Sequence, residues 1–279
     1  MSEVTLKSTD PITEFEETKL ANIDSYPDDK EWHAVSKAFH TKAFLKQYMY
    51  NFSVLGRPII QMPADIIAAQ ELIWKVKPDL IIETGIAHGG SLVMSAAMLA
   101  QIDYCEAVSA GKSLNPLESR RRVLGIDIDI RPHNRGLIQS HPMSHLIEMI
   151  QGSSVDPLVI RQVRDVAIKY DKVLVFLDSN HTEEHVLAEL NAYAPLTTKG
   201  SYCCVMDSVV EDLPKETCAG KPWGKGNNPK TAVWEFLRRL EDGRSKGING
   251  EPIAFAVDKT IENKLIMTNA PDGYLQRVL

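Results

Sequence analysis

Residues 79–91 read DLIIETGIAHGGS, and this stretch decides the fold. Its first half, from Asp79 to Thr84, is a short apolar run of the kind that lies buried on both faces of a parallel sheet. Its second half, Gly85 to Gly90, permits a tight turn and a close backbone approach, and Ser91 can cap a helix predicted over 92–100. Upstream, Asp65 is placed to cap a helix that runs to about Lys77, where Pro78 stops it. Downstream the same alternation repeats. Strands are predicted over 123–127, 146–150, 172–178 (KVLVFLD) and 201–206. Asp156-Pro157, Thr182 and Asn228-Pro229 each open a helix with a one-sided apolar stripe. Residues 103–119 read as a long loop, and the tail as two final strands over 253–257 and 264–268. Repeated strand–helix units imply a doubly wound α/β sheet with helices on both faces. Residues 1–60 are set apart as an N-terminal arm and lid segment, the first 31 being polar, acid-rich and loosely held. The α/β domain occupies 61–279.

The composition narrows the function. The 279 residues are 44% hydrophobic and 24% charged, which fits a globular chain and argues against wholesale disorder. A net charge of −6 disfavours nonspecific association with nucleic acid or anionic membranes. The longest candidate membrane span, 91–100, is far too short, and no secretory leader pattern opens the sequence. The four cysteines, with Cys203 adjacent to Cys204, form neither a disulfide framework nor a metal-binding spacing, so a cytoplasmic setting is expected.

Open α/β sheets bind ligands beyond the carboxyl ends of their strands, so the polar residues there carry the functional reading. Glu83 to Ser91 form an E-x-G-x-x-x-G-G-S element whose helix N-terminus favours a carboxylate or phosphate. Its spacing is not the G-x-G-x-x-G of dinucleotide sites. His88 lies within that turn. Asp127 follows the next strand, where a carboxylate can accept both ribose hydroxyls of a nucleoside, and Asp129 is close enough to compete. Ser153 and Ser154 follow the third strand, either beside a base or as a turn before the Asp156 cap. Asp178 and Asp207 close adjacent strands, and two like charges there call for a proton or a hard cation such as Mg²⁺ between them. His181, one short turn beyond Asp178, is a candidate general base, whereas His185 is read as a helix-start histidine satisfied by backbone.

ETGIAHGGS, GIDIDIR, FLDSNHTEEHVLAEL and KPWGKGNNPKTAVWEFL together resemble the cephalosporin hydroxylase / rhamnosyl O-methyltransferase family, from about Tyr48 to Tyr274. The resemblance implies a class I S-adenosylmethionine-dependent methyltransferase with a Rossmann-like sheet ending in an antiparallel strand. It implies that Glu83, Gly85, Gly89, Gly90 and Ser91 hold the methionine end of the cofactor. Asp127 would then bind the ribose and Ser154 lie beside the adenine. It further implies Asp178 and Asp207 as metal ligands, His181 as base, a hydroxylated sugar or natural-product acceptor, and self-association. The sequence departs from several relatives in one respect. They carry an acidic pair after the fifth strand, whereas here Met206 precedes Asp207, and a thioether is a poor Mg²⁺ ligand. An extra water, Glu211, Asp212 or a metal-free site would each answer this. Arg57, Trp223 and residues 220–228 are the expected cover of the acceptor pocket. Two other readings stand beside this one, a nucleotide-cofactor oxidoreductase and a noncatalytic binding subunit.

Overall fold

The computed structural model describes residues 10–244 and 246–279. At its centre lies a seven-stranded sheet. Five strands are parallel: β3 (Leu80–Thr84), β4 (Arg122–Asp127), β5 (Ile147–Gln151), β6 (Val173–Leu177) and β7 (Tyr202–Val205). Two more, β8 (Phe255–Val257) and β9 (Tyr274–Arg277), close one edge, with β9 antiparallel to both neighbours. The order is β5-β4-β3-β6-β7-β9-β8. The strand order therefore reverses direction at β3, between β4 and β6, and that switch point is where such sheets bind ligands.

Each face of the sheet is covered by a stripe that the sequence encodes. On one face, α6 (Pro157–Ala167), α7 (Glu183–Tyr193) and α8 (Pro229–Glu241) bury Val163, Leu190, Val233 and Phe236 in one cluster with Ile82, Leu124 and Val175. On the other, α3 (Pro63–Val76) and α4 (Gly90–Ser109) bury Leu72, Ile73, Leu92 and Leu99 against Ile81, Val123 and Leu174. The two sets alternate along each strand, as the two-residue period of a pleated sheet requires.

Four expectations change. Ser91 does not cap α4: the helix begins at Gly90 after Gly89, with Ser91 inside its first turn. Helix α4 does not stop near residue 100 but continues to Ser109, taking in the first part of the expected 103–119 loop. No glycine or proline interrupts residues 91–110, and Arg121 anchors the last turns through Asp103 and Glu106. Residues 264–268 are not a strand. Asp258 accepts the Thr260 and Ile261 amides and starts helix α9 (Lys259–Leu265), and pairing resumes only at Tyr274, after the turn at Asp272 and Gly273. Asp65 is not a cap: α3 starts two residues earlier at Pro63, leaving Asp65 inside the first turn and buried.

Before the sheet, the chain forms α1 (Pro11–Ser25) and α2 (Lys30–Leu45), capped by Asp10 and Asp29. Their apolar side chains are mostly exposed, Ile23 being the one buried position of α1. The hairpin β1 (Phe52–Val54) and β2 (Arg57–Ile59) then turns through Leu55 and Gly56, both at positive φ, the geometry that joins two-residue hairpins. This hairpin leans on the start of α4. A Cβ on Gly90 would overlap the Pro58 carbonyl, so only glycine admits the hairpin so close.

Helix α8 opens on a capping box. The Asn228 side chain accepts the Lys230 and Thr231 amides, and Thr231 Oγ1 accepts the Asn228 N–H. Loss of such a cap costs about 1 kcal/mol. Asn228→Ala should therefore lower the thermal midpoint by a few degrees, and an unchanged midpoint would show that the cap carries no stability.

Candidate active site

The strand register sets the site. Thr84 pairs with Ile126 on one side and Leu177 on the other, while Leu177 pairs with Val205, so the strands end level. The residues that follow, Gly85, Asp178 and Met206-Asp207, therefore emerge on one rim. The Asp178 amide still bonds to the Thr84 carbonyl at 3.0 Å, and Met206 to Leu177 at 3.0 Å. Gly85 is required here: at φ 90° its missing Cβ would lie on the Asp178 carbonyl.

The structure brings Asp178, His181 and Asp207 together, with one ligand atom from each within 4.8 Å of the others. Asp207 reaches the rim through a left-handed backbone conformation, φ 55°. His181 Nε2 lies 3.4 Å from Asp207 Oδ2, and the Trp223 ring meets the imidazole edge-on with centroids 4.8 Å apart. Asp178 accepts a 2.8 Å bond from Gln61 Nε2. Burial raises the Asp178 carboxyl well above its ordinary range, and the charges of Asp207, Glu83, Glu189 and Asp65 push it further the same way. This corner of the molecule thus gathers carboxyl groups without a cationic side chain to match them among the described residues, and their charged forms are disfavoured until one is supplied. The two carboxylates form a donor pair suited to a hard divalent cation, with the remaining positions left for water or substrate oxygen, and the imidazole beside them is a softer base suited to handling a proton.

A cleft of about 740 Å³ opens beside this cluster, lined by Gly85 to His88, Ser91, Asp127, Asp178, His181 and Asp207. That size suits a small-molecule ligand or cofactor. A more enclosed space of about 510 Å³ adjoins it beneath Gln61, between Asp65, Glu83, Asp178 and Met206. Glu83 is buried there, hydrogen-bonded by Ser95 and Ser91, and burial raises its carboxyl above the usual range.

The glycine turn is held from three sides. Asp127 Oδ2 accepts the Ile86 and Ala87 amides at 2.8 and 3.2 Å, and its Oδ1 accepts the Asp129 amide at 3.0 Å. Asp129 itself is exposed. The buried Arg57 donates to the His88 carbonyl and to Asn134 Oδ1. Asn134, on α5 (Pro132–Gln139), donates its Nδ2 to the Ala87 carbonyl at 2.9 Å. Arg57 is thus a brace beneath the turn, not part of a cover. The His88 side chain lines the cleft.

Other expectations resolve differently. Ser154 is buried, its Oγ 3.0 Å from His185 Nε2. His185 is not satisfied by backbone: its Nε2 also faces Ser179 at 3.2 Å and the fully buried Glu189 at 3.6 Å. Neither Glu211 nor Asp212 turns toward the cluster. Glu211 accepts the Gly226 amide and Asn228 Nδ2, holding the 220–228 loop, and Asp212 pairs with Lys230 at 2.7 Å. That loop is further pinned by the Glu183 amide on Asn227 Oδ1, and Trp223 packs on His181 rather than on the core. Met206 is buried in the apolar core.

Gln61, Asn134, Asp65 and Asn269 were missed by the sequence reading because no motif or spacing ties them to the rim. Asp65 accepts the Asn269 amide at 2.8 Å, Tyr274 Oη at 2.7 Å and Thr268 Oγ1. Asn269 Nδ2 in turn reaches Asp207 Oδ1 at 3.3 Å.

Comparison with solved structures identifies the architecture. An apo-structure of CmcI aligns at a TM-score of 0.50 with 17% identity, covering 82% of this chain and 77% of that one, and the shared fold is the Rossmann-like methyltransferase sheet. The family described as Rhamnosyl O-methyltransferase/CmcI matches residues 46–278, and the chain belongs to that family of O-methyltransferases. Its curated relatives include the rhamnosyl O-methyltransferases of Mycobacterium bovis (strain BCG / Pasteur 1173P2) and Mycobacterium tuberculosis (strain ATCC 25618 / H37Rv). Each is 26% identical over 246 residues, 88% of this chain and 85% of the relative. No helix among the described residues is long and apolar enough to cross a membrane.

Burial raises the Asp65 carboxyl from 3.8 to about 6. A carboxyl whose pKa is higher folded than unfolded contributes its full stability below about pH 4, and loses it as pH rises through about 6. The loss is on the order of 3 kcal/mol. In paired denaturant titrations, the gap between wild type and Asp65→Asn should shrink from pH 4 to pH 6.5. Parallel curves would show that Asp65 does not titrate in this window.

Proposed function

We propose that the protein transfers a methyl group from S-adenosylmethionine to a hydroxyl of a sugar or related natural product, with the help of a divalent cation. The observation that carries this reading is the convergence of Asp178, His181 and Asp207 at the switch point, on the wall of the cleft that holds the glycine turn.

In this reading the turn receives the methionine end of the cofactor. Glu83 and Ser91 share a hydrogen bond between the strand end and the first helical turn, and the α4 N-terminus offers free amides to a carboxylate. Gly85 and Gly90 line the cleft while admitting the Asp178 and Pro58 carbonyls where a Cβ would stand, Gly89 admits Ile138 against the turn, and His88 lines the cleft wall. Asp127 is assigned to the ribose. Three of the roughly four lone-pair sites of its carboxylate already accept backbone amides, so it would serve the hydroxyls while fixing the turn, with Asp129 as the alternative. Ser154, engaged by His185, is assigned to the adenine side through that network.

The bound cofactor supplies a sulfonium methyl as electrophile. A cation held by Asp178 and Asp207 would supply positive charge at the acceptor hydroxyl and favour its deprotonation. His181 is assigned as the base. Its Nε2 faces the carboxylate of Asp207, which would stabilise the imidazolium once the proton has moved. Trp223, edge-on to that ring, fixes its orientation and offers an aromatic wall to a sugar face. Gln61 orients Asp178. The name of the mycobacterial relatives, rhamnosyl O-methyltransferase, supports a deoxysugar hydroxyl as the acceptor class.

His181→Ala should lower turnover by about 10²- to 10⁴-fold, the usual worth of a general base, while calorimetry finds S-adenosylhomocysteine affinity within about threefold of wild type. Equal losses of turnover and affinity would remove His181 from the role. Chelation with EDTA should abolish methyl transfer and Mg²⁺ should restore it, whereas transfer that persists after chelation would remove the cation. Absence of any S-adenosylhomocysteine binding would overturn the reading as a whole.

A further inference from the structure

Beside the cation cluster lies a side chain whose chemistry nothing above accounts for. Asn269 is 4% exposed, and its backbone is fixed at both ends: its amide donates to Asp65 at 2.8 Å, and its carbonyl accepts the Val209 amide at 3.1 Å. Val209 lies two residues beyond Asp207, so the two segments are tied together. The side-chain Nδ2 bonds Asp207 Oδ1 at 3.3 Å, while Oδ1 finds no hydrogen-bond partner among the described residues. A buried amide oxygen left unpaired costs about 1–3 kcal/mol, so its persistence calls for an explanation.

We infer that Asn269 is an oxygen ligand of the divalent cation, replacing the oxygen that Met206 does not provide. The inference rests on the cation reading proposed above and goes beyond it by naming a third oxygen donor from a different part of the chain. The two ends of a carboxamide are nearly isosteric, so a half-turn about the last side-chain bond exchanges oxygen and nitrogen without other movement. Facing a bare carboxylate, the nitrogen belongs next to Asp207 as a donor. With a cation on Asp207, the oxygen belongs there. The 3.3 Å spacing from Asp207 Oδ1 suits both arrangements, since neighbouring oxygens around hard cations of this size lie about 2.9–3.5 Å apart. The amide is neutral, and this matters. Burial already disfavours the charged form of Asp178, the charges of Asp207, Glu83, Glu189 and Asp65 add to it, and a further carboxylate would increase that cost. A carboxamide supplies an oxygen dipole at no charge cost. Met206 meanwhile completes the apolar core beneath the rim.

The test is Mn²⁺ binding, followed by loss of the free-ion signal in electron paramagnetic resonance, on wild type, Asn269→Ala and Asn269→Asp. Affinity for S-adenosylhomocysteine without metal serves as the check on folding. Asn269→Ala should weaken Mn²⁺ binding about tenfold or more with S-adenosylhomocysteine affinity unchanged, and Asn269→Asp, which keeps an oxygen, should restore or tighten it. If Asn269→Ala binds Mn²⁺ as wild type does, the inference is overturned. If Asn269→Asp is as weak as Asn269→Ala, the amide acts only as a donor to Asp207, and the inference is overturned as well. Failure of wild type itself to bind Mn²⁺ would instead bring down the cation reading, and the ligand with it. Should the variants lose the folding check, the anomalous signal of Mn²⁺ in wild-type crystals decides. A peak within about 2.6 Å of the Asn269 side-chain amide supports the ligand, and one further away overturns it.

Discussion

The rim of this molecule depends on keeping several carboxyl groups close together at the ends of level strands. Burial disfavours the charge of Asp178, and Asp207, Glu83, Glu189 and Asp65 are all near enough to add to the same effect. In water such repulsion would be small, but at the edge of a low-dielectric interior it is not. The fold answers with directed hydrogen bonds rather than with cations. Gln61 donates to Asp178, Asn269 to Asp207, Ser95 to Glu83, and Thr268, Tyr274 and an amide to Asp65. The arginines and lysines go elsewhere: Arg57 to the glycine turn, Arg121 to the end of α4, Lys230 to Asp212. A site left electronegative in this way is poised for a positive guest, and both proposed guests, a sulfonium and a divalent cation, are positive.

Rigidity around that charge comes from contacts distant in sequence. The turn after β3 is held by Asp127 from β4, by Arg57 from the hairpin and by Asn134 from α5. The far wall is held by Glu211, which ties the Trp223 loop to the cap of α8. Positioning groups of this kind determine whether a reacting atom is held within a fraction of an ångström, so they matter as much as the groups that touch it.

Most of the sheet was legible because its strands are continuous apolar runs closed by glycine or aspartate, and a two-residue side-chain period leaves little choice of face. The rim was legible for the same reason. Once 79–84, 172–178 and 201–206 are parallel neighbours, the residues that follow them must share an edge. What the sequence concealed lay in two kinds of place. One was element ends, where local capping prevailed: Asp258 starts a helix across part of the expected last strand, and α4 runs on because nothing breaks it before Ala110. The other was the bracing partners. Gln61, Asn134 and Asn269 are ordinary amides without motif or period, and their significance comes from tertiary placement alone. Arg57 was visible as a candidate yet misassigned, because a basic residue after a hairpin turn gives no sign of which way it points.

Met206 stands where the resemblance implies an acid, and its surroundings show what a thioether does there in place of one. A carboxylate there would sit beside Asp178 and Asp207 and over the cavity that already contains Asp65 and Glu83. Each added charge in such a place must be neutralised or hydrogen-bonded, and the donors nearby are already committed. A methionine turns the same position into core, packing with Tyr202, Cys204 and Tyr274 on the α3–α4 side of the sheet. The charge removed at the strand end lowers the repulsion on Asp178, and so favours the carboxylate form that a cation requires. The oxygen lost can come from a neutral amide, because the attraction between a divalent ion and two carboxylates already dominates, and a third ligand has chiefly to fill space in the right direction. Substitution of an acid by a thioether is then compatible with a cation site, provided that the neighbouring segment carries an amide at the height of Asp207, and Asn269 meets that condition.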